Sequence, residues 1–237
     1  MVVDGSSEGQ DTVSAVLCSG GLDSVVLVAA EAQRFVVQPI YVNGGFAWES
    51  VERDCLDRLF SAAPFAEGIR PWTSIDCSVS DVYSPTHWAL QGTPPTYNTP
   101  DEDVYLVGRN LMLLSKAGVF CAVNGIGRIA VGPLAGNLFP DATAEFFSVM
   151  ADALSIGLDH AIEIATPFTA FSKADVIRLG TTLNVPWSDT ISCMNPIKGL
   201  HCGRCSKCRE RLQAFDAVGV VDPAVYAFRP DNVSTGR

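Results

Sequence analysis

Positive charge is scarce in this chain. Sixteen Lys and Arg residues stand against 26 Asp and Glu, for a net charge of −10 over 237 residues. Such a surface repels polyphosphate chains, so binding to a nucleic acid is not expected, although a local basic patch is compatible with it. Long apolar runs are also missing. The most apolar stretch, Ala15 to Ala30, is broken by Cys, Ser and Gly and contains Asp23, which excludes a membrane span. Met1 to Asp11 has neither a basic region nor an apolar one; no signal peptide is expected there, only a frayed lead-in. No Gly-Lys-Ser/Thr occurs, which excludes a Walker A loop, and there is no dinucleotide fingerprint. Internal repeats and low-complexity segments are absent as well.

What is present suits a compact globular protein. The length accommodates one α/β domain and a small appendage. Val13 to Cys18, Phe35 to Val42, Thr73 to Cys77, Arg128 to Pro133 and Ala161 to Ala165 have the composition of strands. Helical patterns fall between them, at Ser24 to Ala32, Glu49 to Ala62, Asn110 to Val123, Ala142 to Ile156 and Lys173 to Leu183, the last with Ser172 as its N-cap. This alternation predicts a doubly wound parallel sheet over residues 12–191. Residues 192–216 form a small cysteine module and 217–237 a tail. Asp81 to Gly108, rich in Pro, Tyr and Thr, has no clear period and is expected to be a functional loop or lid.

The first strand leads into Ser19-Gly20-Gly21-Leu22-Asp23-Ser24. Glycines let the backbone turn tightly and present N–H groups to phosphate oxygens. The following helix adds its positive N-terminal end, and Ser19 and Ser24 add hydroxyls. A carboxylate among phosphates needs a reason, and Mg²⁺ held by Asp23 on a pyrophosphate is one. The bland alternative is a Gly-rich turn without a ligand.

Eight cysteines are present. Cys18, Cys55, Cys77 and Cys121 lie in apolar or amphipathic segments, where a reduced thiol packs as a small hydrophobe. Cys202, Cys205 and Cys208 form a C-x₂-C-x₂-C run with Cys193 upstream, at the spacing of a metal site. Four thiolates on Zn²⁺ carry two excess negative charges, which Lys198, Arg204, Lys207, Arg209 and Arg211 are placed in sequence to offset. An iron–sulfur cluster is the rival ligand set, and an RNA contact is the rival use of the basic cluster. A reducing cytoplasm is the expected location.

The loop resembles the signature of the ATP pyrophosphatase superfamily, whose members split ATP between its α and β phosphates to adenylate a substrate oxygen. With the cysteine module added, the chain resembles the 7-cyano-7-deazaguanine synthase family. Gly108-Arg109-Asn110, Phe139-Pro140-Asp141, Thr166-Pro167-Phe168 with Ser172 to Gly180, and the zinc segment carry that resemblance. It covers nearly all of Val13 to Phe215. The resemblance implies a PP-loop fold and an ATP-dependent carbon–nitrogen ligase of queuosine biosynthesis. That enzyme activates 7-carboxy-7-deazaguanine as an acyl adenylate, amidates it with ammonia, and uses a second ATP to dehydrate the amide to the nitrile. Carried onto this chain, Ser19, Gly20, Gly21, Leu22, Asp23 and Ser24 hold the pyrophosphate, Arg109 and Asn110 lie near nucleotide or substrate, and Lys173 neutralises phosphate charge. Asp23, Lys173 and Arg109 are the expected catalytic residues. Mg²⁺ and Zn²⁺ at Cys193, Cys202, Cys205 and Cys208 are the expected metals, and a homodimer the expected assembly.

Two segments depart from the family pattern. Tyr41-Val42-Asn43-Gly44-Gly45 replaces a Tyr-Gly-Gln-type turn. Ala142-Thr143-Ala144-Glu145 replaces Cys-Arg-Pro-Glu, removing a guanidinium and a thiol. A different acceptor for the activated group, a tRNA thiolase of the same superfamily, and a non-catalytic nucleotide-binding module are therefore alternative readings.

Overall fold

A computed structural model describes residues 12–61, 65 and 68–229. The expected N-terminal lead-in and the last residues of the tail lie outside them. Five strands form one parallel sheet: β1 (Val13–Leu17), β2 (Val36–Asn43), β3 (Thr73–Asp76), β4 (Arg128–Ala130) and β5 (Glu163–Ala165), in the order β3-β2-β1-β4-β5. Ala15 pairs with Gln38 on one side and Ile129 on the other, fixing β1 at the centre.

The strands are buried on both faces, so their apolar residues alternate between two cores rather than between core and water. Val16, Val37, Tyr41 and Ala130 face one core, with Val25 to Val28 of α1 (Leu22–Glu31), Leu56 and Leu59 of α2 (Glu49–Ser61), and Val176. Ala15, Ile40, Val42 and Ile129 face the other, with Leu114, Ala117 and Cys121. A one-turn helix, α3 (Trp88–Gln91), precedes α4 (Arg109–Val123), which packs beside α5 (Ala144–Leu158) on this second face. Gly118 lets them approach, since a Cβ there would lie 2.8 Å from Leu154 Cδ2. The first face is completed by α6 (Lys173–Thr182) and α7 (Ser206–Asp216).

Ser172 caps α6 as expected, in a reciprocal capping box with Asp175. The Asp81 to Gly108 segment differs from expectation in holding α3 and a 3-10 turn at Asp101–Val104. Short turns of that kind leave no period to read in sequence. The strap is tied to the cysteine segment: Thr96 bridges Cys205, the Ser206 N–H donates to the Pro95 carbonyl, and Arg209 donates to the Tyr97 and Thr99 carbonyls. The cysteine segment is itself continuous with the first core, where Cys193, Cys202, Cys205 and Cys208 are buried.

Candidate active site and metal centre

The chain leaves β1 to one side, through α1 to β2, and later reaches β4 on the other. Ligands of open parallel sheets collect at such a switch point, beyond the carboxyl ends of the strands. The Ser19 to Ser24 loop lies there. Gly20 adopts φ +79°, and a Cβ at that position would meet Cys55 Sγ at 2.8 Å, so both conformation and space select glycine. Ser24 Oγ accepts from the Ser19 N–H (3.2 Å) and donates to the Gly21 carbonyl (3.0 Å). Ser19 Oγ accepts weakly from the Gly21 N–H (3.4 Å). Gly21 is the N-cap of α1 and supplies no capping side chain. The hydroxyls thus brace the turn, while the positive end of α1 faces the cleft uncapped.

Two adjoining lobes form the cleft. The larger, about 300 Å³, runs from the loop past Phe46, Trp48, Tyr105, Asn110 and Phe139. The smaller, about 180 Å³, is ionic, with Asp23, Lys173, Lys207 and Glu210 around Ser192. Ser19, Gly21, Asp23, Trp48, Glu52, Arg109 and Lys207 border both. Of the loop residues, Leu22 reaches only the smaller lobe and is otherwise core. Tyr105 and Phe139 stack with centroids 4.9 Å apart.

Lys173 Nζ lies 2.5 Å from Asp23 Oδ2 and 2.7 Å from Glu210 Oε1, and Lys207 Nζ lies 2.5 Å from Glu210 Oε2. A chain of alternating charge therefore runs Asp23–Lys173–Glu210–Lys207. Burial alone would pull the Lys173 ammonium down, but the Asp23 and Glu210 carboxylates reverse this and hold it above its ordinary value. Burial likewise opposes ionisation of Glu210, and the two lysines overcome it, holding the carboxyl down at about 2. The second oxygen of Asp23, Oδ1, is buried and unpartnered. An unpaired buried carboxylate oxygen beside the open N-terminus of α1 fits a hard divalent cation.

Arg109 begins α4 next to Gly108, whose φ is +72°. Asn110 is locked to the Phe139-Pro140-Asp141 segment: its backbone N–H donates to Asp141 Oδ2 and its Nδ2 to the Asp141 carbonyl, both at 2.8 Å. Two sequence motifs are thus one structural unit that aims Arg109. The altered residues nearby have local roles. Thr143 caps α5 through the Phe146 N–H, and the Gly44 and Gly45 N–H groups donate to the Glu49 carboxylate.

Cys193, Cys202, Cys205 and Cys208 converge with all four sulfurs within 4.8 Å of one another. Thiolates bound about 2.3 Å from a single ion stand about 3.8 Å apart in a tetrahedron. The observed separations of 4.0, 3.9 and 3.5 Å for the 193–205, 202–208 and 205–208 pairs fit that geometry. A cubane, with each thiolate on a separate iron, spreads its ligands further. Four of the five basic residues near the cysteines have their partners away from the sulfurs. Arg204 lies over the Phe228 ring, Lys207 pairs with Glu210, Arg209 with Asp101, and Arg211 with Asp222. Backbone N–H groups face the sulfurs directly: Asn195 and Cys202 donate to Cys193 Sγ, Gly203 to Cys208 Sγ, and Arg204 to Cys202 Sγ. A tight knuckle points its amides at its own sulfurs, so the long side chains are free to pair elsewhere.

The model for "Queuosine biosynthesis protein QueC" matches residues 13–219. The chain belongs to the QueC family. Relatives of this QueC-family chain include the 7-cyano-7-deazaguanine synthase of Methanospirillum hungatei, 31% identical over 228 residues, covering 89% of this chain and 97% of that relative. The synthase of Dechloromonas aromatica is 33% identical over 226 residues, covering 89% and 96%. Among solved structures, the U34-tRNA thiolase NcsA of Methanococcus maripaludis, with its [4Fe-4S] cluster, covers 88% of this chain and 71% of its own, at a TM-score of 0.50 and 11% identity. That likeness shows a shared PP-loop fold.

Several cleft residues carry no recognisable motif. Glu52 is the chief one; Glu210 lies inside the zinc segment that matches the family, but nothing in that match gives it a place in the cleft. Glu49 and Glu52 lie on the same stripe of α2 as the buried Cys55, Leu56 and Leu59, and acids on a core-facing stripe are the signal that could have found them. Glu210 lies one turn beyond Lys207, where the sequence shows only a surface i,i+3 pair.

Proposed function

We propose that this QueC-family protein makes 7-cyano-7-deazaguanine from 7-carboxy-7-deazaguanine, ammonia and ATP. The observation that carries the reading is the bipartite cleft, with an ionic lobe at the Ser19 to Ser24 turn adjoining an aromatic lobe large enough for a flat ring. ATP lays its pyrophosphate against the backbone of Ser19, Gly20, Gly21, Leu22 and Ser24, at the positive end of α1. Mg²⁺ bound at Asp23 would supply charge stabilisation for the departing pyrophosphate. Lys173 adds a fixed positive charge beside the same oxygens. Arg109, at the junction of the lobes, holds the substrate carboxylate or the α-phosphate, and Asn110 fixes its direction. With no guanidinium at residues 142–145, Arg109 takes over the carboxylate contact. The attack of ammonia on the acyl adenylate gives the amide and AMP, and a second ATP drives its dehydration.

The four cysteines hold Zn²⁺ in a closed structural site. All eight cysteines are unpaired in the structure, which accords with the reducing cytoplasm we assign to the protein. No described helix is long and apolar enough to cross a membrane. The exposed apolar residues Val119 and Val123 of α4 and Val149 and Ile156 of α5 support a homodimer through that face, testable by sedimentation.

Incubation with Mg-ATP and 7-carboxy-7-deazaguanine, with and without ammonium, tests the reading by product mass. A nitrile is expected. An adenylate that forms and is not consumed by ammonium would instead favour a different acceptor, the reading that the altered residues 43–45 and 142–144 motivate. Metal analysis of the same sample should give one zinc per chain; iron would favour the thiolase reading.

A further inference from the structure

Glu52 has no part in the ATP chemistry above, yet it borders both lobes of the cleft, where phosphate and ring regions meet. Its Oε2 accepts from the Tyr41 hydroxyl at 2.7 Å. That leaves Oε1 available to a ligand in the cleft. The charged and titratable groups around it are Tyr41 from β2, Glu49 and Arg53 from its own helix, Arg109 from α4, the Cys18 and Cys55 thiols behind the loop, and Asp23 and Lys207 across the cleft, which are paired with Lys173 and Glu210. None of these is both basic enough and free to accept a proton. Arg53 is tied to Asn43, Glu49 to the Gly44 and Gly45 amides, and burial raises both thiols above their ordinary values.

The amidation step needs such an acceptor. At neutral pH the nitrogen source is mostly ammonium, which has no lone pair to offer. We infer that Glu52 is the general base that takes a proton from ammonium in the cleft, a role that rests on the synthase reading. One N–H bond breaks and its proton passes to the Glu52 carboxylate, leaving ammonia. The nitrogen lone pair then forms the C–N bond at the acyl carbon. The acyl C–O bond to AMP breaks, and its electron pair leaves with the phosphate. The surplus proton on the new amide nitrogen departs with AMP. Tyr41 fixes the direction of the carboxylate by its hydrogen bond and is a positioning residue.

Burial raises the Glu52 carboxyl to about 7, against the opposing pull of the Tyr41 hydroxyl and Arg109. A base with that affinity is substantially ionised at neutral pH and still holds a proton well, the range in which proton transfer is most effective.

The test separates adenylation from amidation. Wild type and Glu52→Gln are compared for ATP–pyrophosphate exchange with 7-carboxy-7-deazaguanine in the absence of ammonium, and for amide formation with ammonium or hydroxylamine. Hydroxylamine is largely unprotonated at neutral pH and needs no initial deprotonation. In Glu52→Gln, exchange should stay within a few-fold of wild type, while ammonium-dependent amidation falls about 10²–10⁴-fold. Hydroxamate formation should recover most of the lost rate. The wild-type ammonium rate should rise through pH 7 and flatten, whereas the residual rate of the variant should keep climbing with the fraction of free ammonia. Equal loss of exchange and amidation, equal loss with both nucleophiles, or an unchanged ammonium rate would each overturn the role. Absence of exchange in wild type would overturn the synthase reading itself, and the role with it.

Discussion

Lys173 is the residue on which most of the charge in the cleft converges. It touches two carboxylates, and each has a second side: Asp23 keeps a buried, unpartnered Oδ1, and Glu210 also pairs with Lys207. Substituting Lys173→Met keeps the length of the side chain and removes the charge. ATP–pyrophosphate exchange is expected to fall about 10²–10³-fold, the usual loss for one electrostatic contact to a developing anion. Glu210 gives a pH prediction. Its folded-state value, about 2, lies below the ordinary 4.5, so its ion pairs stabilise the fold fully above the ordinary value. That contribution disappears as pH falls from about 4.5 toward 2. Urea unfolding at pH 5, 4 and 3 should show a shallower acid decline for Glu210→Gln than for wild type.

Among the elements, α7 joins two sites. Cys205 is its N-cap and Cys208 lies in its first turn, while Lys207 and Glu210 project into the ionic lobe. Arg211 follows on the same helix and is fully buried, paired through both Nε and Nη2 with Asp222 and donating to the Trp187 and Thr190 carbonyls. The 187–191 segment so held runs behind the phosphate turn, where the Ile191 N–H donates to the Gly20 carbonyl at 2.9 Å. Arg211→Met leaves the buried Asp222 charge without its cation, held only by the Tyr226 hydroxyl and the Ala224 N–H, and a loss of about 3–5 kcal/mol is expected by denaturant titration. Adding Asp222→Leu should restore part of it.

The strands and long helices were legible in the sequence because apolar runs and 3.6-residue spacing are local signals. The tight turn between β1 and α1 was legible because paired glycines directly after an apolar strand leave the chain little else to do. The lock between Asn110 and Asp141 appeared only as two separate motifs, since their spatial meeting depends on α4 and α5 packing across a sheet face. The fate of the basic cluster was misleading for a related reason. Sequence proximity to the cysteines said nothing about the backbone amides that actually face the sulfurs.

At the scale of the molecule, the four-cysteine cluster and the ionic lobe of the cleft share one helix. Removal of a metal held by the four cysteines is expected to free the N-terminal turn of α7, and with it the lysine and glutamate that complete the ionic lobe. Chelation by a strong thiol-competing ligand should therefore lower the thermal midpoint and abolish ATP–pyrophosphate exchange together, and zinc should restore both. Retained exchange in metal-free protein of unchanged fold would separate the two sites.

The pairing of Arg211 with Asp222 also has a consequence for how the chain is made. A nascent polypeptide that has emerged only as far as α7 possesses every loop residue, every cysteine and both cleft lysines, but carries a guanidinium that must be buried without its carboxylate. The support behind the phosphate turn is thus completed only after Asp222 leaves the ribosome. Unfinished chains stopped short of that residue should not consume ATP, so the competence to spend nucleotide is expected to arrive with Asp222 rather than with the Ser19 to Ser24 loop.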